Sequence, residues 1–297
     1  MAETLRQQYL DPAVLQELGN LKVRARQLAE GVIAGLHRSP HRGGSVEFSE
    51  YIEYSPGQEL RHVDWKVYGK SDKYYIKQYE DETNLQSYLL VDGSGSMNFQ
   101  GENAPWKKLD YATHLAATIA YLLIRQGDAV GAMGFADTTG AFLPAAARTR
   151  HLDDIFYLLE SLDGEGTTAL DESLHTIAER ARRRSLVLIF SDLLDATDRT
   201  FERLRVLRSR RFDVCLFHIL DEAEWDLPYE GLTLFEGLER DGELLVDPDD
   251  IRERYRQAIR GHCAAIQETC ERANITYLRT FTSTPLEKVC QNFLRRS

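Results

Sequence analysis

From about Asn84 onward the chain alternates short apolar runs with longer stretches that repeat apolar residues every three or four positions, and this alternation most constrains its fold. "LQSYLLVD", "DAVGAMGF", "SLVLIFSD", "FDVCLFHIL" and "ITYLRT" are short and rich in branched and aromatic residues, as buried strands are. Between them, residues 106 to 126 place Leu109, Ala112, Ala116, Ile119 and Leu123 on one helical face. "LDDIFYLLESL", "ALDESLHTIAERARRR", "RTFERLRVLRSRR", residues 249 to 273 and a segment from Pro285 also read as helices. Such a βαβα order predicts an α/β fold, a mostly parallel sheet with helices on both faces. A hairpin, "LTLFEGLERDGELLVD", interrupts the order before the long helix near the end.

The region before Asn84 has a different texture. Val14, Leu18, Leu21, Ala25, Leu28 and Val32 form the stripe of an amphipathic helix between Asp11 and Gly35, with Asp11 and Pro12 as cap and first turn. "HRSPHRGGSVEFSEYIEYSPGQELRHVDW" is rich in Gly, Pro, Ser and His and suggests loops with small strands, and "KYYIKQYED" reads as one more strand. The expected division is therefore an N-terminal helix and small β/loop region over 1–83, and an α/β domain over 84–297 with a hairpin insertion near 228–248.

Composition narrows the functional classes. Lys and Arg number 36 against 47 Asp and Glu, a formal net charge of −11, which disfavours a sequence-independent grip on nucleic acid or anionic membrane. The arginine runs at 180 to 184 and 208 to 211 read as solvated helix ends, where the helix dipole favours cations. Cys215, Cys263, Cys270 and Cys290 lack C-x-x-C spacing and read as reduced thiols. The opening residues have no signal-peptide core, and no run approaches the roughly 18 apolar residues that span a bilayer. The expectation is a soluble, cytoplasmic protein with no membrane span.

In open α/β sheets ligands collect at the carboxyl ends of strands. Three such places carry oxygen donors: Asp92, Ser94 and Ser96 in "VDGSGSMNF"; Thr167 and Thr168 in "GEGTTAL"; and Ser191 and Asp192 after "LVLIF". Gly93 and Gly95 permit the sharp path that lets positions two apart face one locus. Carboxylates and hydroxyls together suit a hard cation such as Mg²⁺. Neutral hydroxyl donors leave that cation electron-poor, and so attractive to a carboxylate from elsewhere. Taken singly, each element has a plainer reading, the first as an Asx turn or helix cap and the threonines as caps. It is their joint placement at the strand ends of one sheet that points to a metal.

"DGSGS", "GTTAL" and "FSD" resemble the D-x-S-x-S, Thr and Asp elements of the metal-ion-dependent adhesion site of von Willebrand factor A-type domains. The resemblance implies that family's mostly parallel sheet with flanking helices. It implies metal ligation by Asp92, Ser94, Ser96, Thr168 and Asp192, with Thr167 the alternate threonine, and a partner's acidic residue completing the shell. Mg²⁺ is the implied cation, with Mn²⁺ or Ca²⁺ as alternatives.

A second resemblance covers nearly the whole chain. The segment from Gly35 to Trp65, with "LPYEGLTLFEGLERDGELLVDP" and "LRTFTSTPLEKVCQNFLRRS", is similar to the domain-of-unknown-function family number 58. Members are von Willebrand A-like and are typically encoded beside MoxR-type AAA+ ATPases. This implies a non-catalytic interaction module, an adaptor or partner of such an ATPase or of its client protein in assembly or maturation. The signature residues His37, Glu47, Arg61, Asp64 and Trp65 read either as a second functional surface or as an ion pair with a packed tryptophan, and Tyr74, Tyr75 and Tyr79 read as strand packing. The alternative function is a Mg²⁺-dependent phosphoryl-transfer hydrolase with Asp92 as nucleophile. Against it, Ser94 stands where a D-x-D pattern needs its second carboxylate, and no G-x-x-x-x-G-K-[ST] occurs.

Overall fold

The apolar runs of the sequence become strands buried on both faces, and their alternation decides which helices each face receives. The structure, a computed structural model, describes residues 12–37, 51–53, 75–77, 85–137, 139–239 and 242–295. Helix α1 (Pro12–His37) is followed by two three-residue strands, β1 (Tyr51–Glu53) and β2 (Tyr75–Lys77), paired antiparallel with Ile52 opposite Ile76. Then come β3 (Gln86–Asp92), a 3-10 turn (Gly95–Asn98), α2 (Lys108–Arg125), β4 (Ala129–Phe135), β5 (Thr139–Ala146), α3 (His151–Glu160) and α4 (Leu170–Arg180). The chain continues through β6 (Leu186–Ser191), α5 (Asp198–Ser209), β7 (Asp213–Leu220), α6 (Glu222–Asp226), β8 (Thr233–Glu236), β9 (Glu243–Val246), α7 (Pro248–Arg272), β10 (Thr276–Phe281) and α8 (Leu286–Leu294).

Six strands form the central sheet in the order β10-β7-β6-β3-β4-β5. All neighbours are parallel except β5, which runs antiparallel to β4 at the edge. This is the α/β, mostly parallel architecture expected from the sequence. Strand β5 and the short helix α6 are additions to that reading. "TGAFLPAA" carries a glycine and a proline, which mask a strand pattern, and proline is tolerated on an edge strand because one side of its backbone needs no partner.

Successive residues of a strand face opposite ways. Leu89 and Val91 of β3, with Leu188, Phe190, Phe217 and Ile219, pack under α2, α3 and α8; Tyr88 and Leu90, with Val187, Ile189, Val214 and Leu216, pack under α4, α5 and α7. Helix α1 enters the first of these layers through Leu21, Ala25, Ala29 and Val32. Lys22 reinforces it with an ion pair to Asp153 at 2.6 Å. The chain accordingly forms two compact units, Met1–Leu36 with Leu85–Ser297, and His37–Asn84. The sequence reading grouped α1 with the region up to residue 83; the helix's small and apolar stripe instead finds its partners in the sheet's core. Glu47, Arg61, Asp64, Trp65, Tyr74 and Tyr79 lie outside the described residues, as do the side chains of His37 and Tyr75.

Candidate metal centre

Chain order places a crossing point between β3 and β6. The strands after β3 build outward on one side through β4 and β5, while β6, β7 and β10 build on the other. Helices leaving in opposite directions open a crevice at such a point. Asp92 ends β3 and Asp192 follows the last residue of β6, so the two carboxylates flank it. Two backbone bonds pin the turn between: Gly93 N donates to Phe135 O at 2.7 Å, and Gly95 N to Gly166 O at 2.8 Å. The second bond joins the D-x-S-x-S turn to the threonine loop.

Asp92 is buried and accepts three hydrogen bonds. Its Oδ2 accepts from Ser191 Oγ at 2.6 Å and from Thr168 Oγ1 at 3.3 Å, and its Oδ1 accepts from Ser94 N at 3.0 Å. Ser94 Oγ lies 3.2 Å from Ser96 Oγ. All five residues singled out in the sequence, Asp92, Ser94, Ser96, Thr168 and Asp192, are thus brought together. Thr167 is not: its backbone and hydroxyl donate to Asp137, and it faces solvent. Between the alternates, Thr168 is the threonine at the site.

Lys108, the first residue of α2, is wholly buried beside these groups. Its ammonium donates to Asp192 Oδ2 at 2.7 Å and also pairs with Glu224 of α6. Nothing in "WKKLD" distinguishes this lysine from a surface one. Asp192 and the part-buried Glu224 share this single ammonium, and the buried Asp92 stands close enough to Asp192 to be repelled by its charge.

The cleft, about 10 Å³, is lined by Asp92, Ser96, Thr168, Asp192, Asp195 and Glu239 among others. That is room for one water or one small ion. Glu239 comes from the turn after β8, and its Oε1 accepts from Ser96 N at 3.2 Å. Its sequence context, "GLERDG", carries no signal for a site 143 residues away.

Burial, and then the charge of Asp192, push the Asp92 carboxyl up to about 7, with the hydrogen bonds from Ser191 and Ser94 pulling the other way. Asp192 goes down: burial opposes this, but Lys108 and the Ser96 hydroxyl outweigh it. Burial raises Glu239, its bonds to Ser96 oppose this, and Asp195 adds to the rise. A divalent cation relieves like-charge crowding of this kind. The donors are all oxygen and mix hydroxyls with carboxylates, so they fit a hard cation of the Mg²⁺ type. Among the described residues no group of three or more His, Cys, Asp or Glu is arranged to hold a metal, and a site here would depend on its hydroxyls.

A family profile described as "Protein of unknown function DUF58" matches residues 50–265, most of the chain. The chain belongs to the DUF58 family. It is 26% identical over 268 residues to the uncharacterized protein Rv1480 of Mycobacterium tuberculosis, covering 87% of this chain and 82% of that one, and it matches the uncharacterized protein Mb1516 of Mycobacterium bovis equally well. Among solved structures it is similar to the conserved hypothetical protein BatB from Bacteroides thetaiotaomicron, with a TM-score of 0.48 and 16% identity over 71% of this chain and 98% of that one. It is similar too to the SpRpn10 VWA domain, with a TM-score of 0.44 and 11% identity over 72% of this chain and 96% of that one. Among the described residues, no helix of this DUF58 chain is long and apolar enough to cross a membrane.

Proposed function

We propose that this DUF58 protein is a metal-dependent protein-interaction module of the adhesion-site type, without catalytic activity of its own. The observation that carries the reading is the meeting of Asp92, Ser94, Ser96, Thr168 and Asp192 around one ion-sized cleft, where the two aspartates crowd each other. Those side chains would hold Mg²⁺, Mn²⁺ or Ca²⁺, which would act there as a Lewis-acid acceptor for a carboxylate.

Two further features favour binding over turnover. Asp92 accepts from Ser94 N, Thr168 Oγ1 and Ser191 Oγ, which fix its orientation, and Ser94 stands where a second carboxylate of a D-x-D hydrolase would be needed. Apolar side chains are exposed around the cleft, among them Leu194 and Leu238, as suits a surface that docks a partner. The partner is a MoxR-type AAA+ ATPase, or its client, presenting an acidic residue. The four buried, unbridged cysteines suit a cytoplasmic location, where thiols stay reduced.

The test is binding of the full chain to its cognate MoxR-type ATPase in Mg²⁺ and in EDTA, for the wild type and Asp92→Ala, with phosphatase turnover measured alongside. The reading predicts binding that both EDTA and the substitution abolish, with no turnover. Binding indifferent to both would overturn it, and turnover lost on Asp92→Ala would favour the hydrolase.

A further inference from the structure

Gly95 has no positive φ, so its backbone does not require glycine. The requirement comes from a contact: a Cβ on Gly95 would lie 2.2 Å from Leu238 O and 2.9 Å from its carbonyl carbon. The missing side chain is therefore a seat for the turn between β8 and β9, which sets its backbone directly on the D-x-S-x-S loop. From that seat Glu239 reaches into the cleft and accepts from Ser96 N, beside the proposed cation ligands.

We propose that Glu239 is a ligand the chain supplies to its own cation site, occupying the position that a partner's carboxylate takes. The proposal rests on the cation-site reading above and adds a competition to it. With the hairpin seated, Glu239 closes the ion's coordination. With the hairpin lifted, a partner's aspartate or glutamate takes the vacated position.

The hairpin is built to be displaced. Among the described residues its strands pair only with each other, as a separate two-stranded ribbon, and ribbons of that kind are marginally stable alone. Leu232, Leu244 and Leu245 are 71%, 59% and 60% exposed, so it buries little apolar surface. An intramolecular carboxylate acts at an effective concentration in the millimolar range, enough to hold off weak carboxylates while yielding to a partner that adds apolar contacts. The partner's chemistry follows: an acidic side chain flanked by apolar residues.

The test uses the full chain and Mn²⁺ as probe, reading free ion by electron paramagnetic resonance, inner-sphere waters by water-proton relaxation, and hairpin protection by amide exchange. Wild type should bind Mn²⁺ and show slowed exchange over 233–246 when it does. Glu239→Ala and Glu239→Gln should bind Mn²⁺ severalfold more weakly, and Glu239→Ala should gain one exchangeable water on the bound ion and lose the Mn²⁺-dependent protection. Affinity for acetate at the loaded site should rise on the order of tenfold. If both variants match wild type in affinity, relaxation and exchange while Asp92→Ala abolishes Mn²⁺ binding, Glu239 is no ligand and the cation site stands. If wild type fails to bind Mn²⁺, or Asp92→Ala binds it equally well, the site itself falls and the proposal with it.

Discussion

The ammonium of Lys108 lies 2.7 Å from Oδ2 of Asp192, and both side chains are closed off from solvent. A lysine at the first position of a helix sits at the wrong end of the helix dipole. Its placement is explained by what it joins: the start of α2, the loop after β6 and, through Glu224, helix α6. Burial lowers the affinity of Lys108 for its proton, and the carboxylates of Asp192 and Glu224 more than restore it, so it is held charged.

Lys108→Met should therefore be costly. It leaves the buried Asp192 and the part-buried Glu224 without their counter-charge, a change of about 3–5 kcal/mol in comparable pairs. In a domain of this size that lowers Tm by about 10 °C. The double variant Lys108→Met with Glu224→Leu should recover part of the loss, since it removes one orphaned charge. Thermal denaturation of the three proteins checks this, and a single variant as stable as wild type would contradict the buried ion pair.

The sheet was legible because strands buried on both faces carry an apolar signal at every position, as in "LLVD" and "LVLIF". Strand β5 was not, because Gly140 and Pro144 interrupt the pattern and the edge relaxes the demand for burial. At the site, the motif residues stand next to strand ends and could be placed by counting along the chain. Lys108, Glu224 and Glu239 could not. Lys108 meets Asp192 and Glu224, and Glu239 meets Ser96, through tertiary contacts across 84 or more residues, and no local spacing encodes such an approach.

Gly95→Ala tests the seat of the hairpin independently of any metal. The added methyl meets the Leu238 backbone carbonyl at 2.2 Å, and neither atom can swing away as a flexible side chain would, so the turn must move. Overpacking of this kind costs about 1–3 kcal/mol where nothing can yield. Here the hairpin yields, so the global stability should change little. Amide exchange of the hairpin should quicken severalfold in metal-free protein, with the central sheet unaffected. Equal exchange in the two proteins would show that the turn does not rest on Gly95.

The four thiols should be silent in the native state. All are buried, and burial pushes Cys270 and Cys290 up to about 12, far from the thiolate form that reacts. Titration with a disulfide reagent at pH 8 should show no fast-reacting thiol, then all four within the mixing time in concentrated urea. A fast native fraction would identify a cysteine that local opening exposes.

His218 makes stability depend on pH in a definable window. It stands two residues before the end of β7, opposite Ser191, and its Nδ1 lies 2.7 Å from the Tyr277 hydroxyl. Burial lowers its pKa from 6.5 to about 4, with the charge of Asp192 partly opposing. Between those values the unfolded chain binds a proton that the folded chain refuses, so acid favours unfolding. The contribution is complete above pH 6.5 and is lost as pH falls toward 4, reaching roughly 3 kcal/mol at the lower end. Carboxylates also titrate there, so the quantity to measure is the difference between wild type and His218→Gln in urea denaturation at pH 7.5, 6, 5 and 4.5. The gap should narrow steadily across that series, because the variant has no proton to gain on unfolding. Curves that stay parallel would mean that His218 takes its proton in the folded state too.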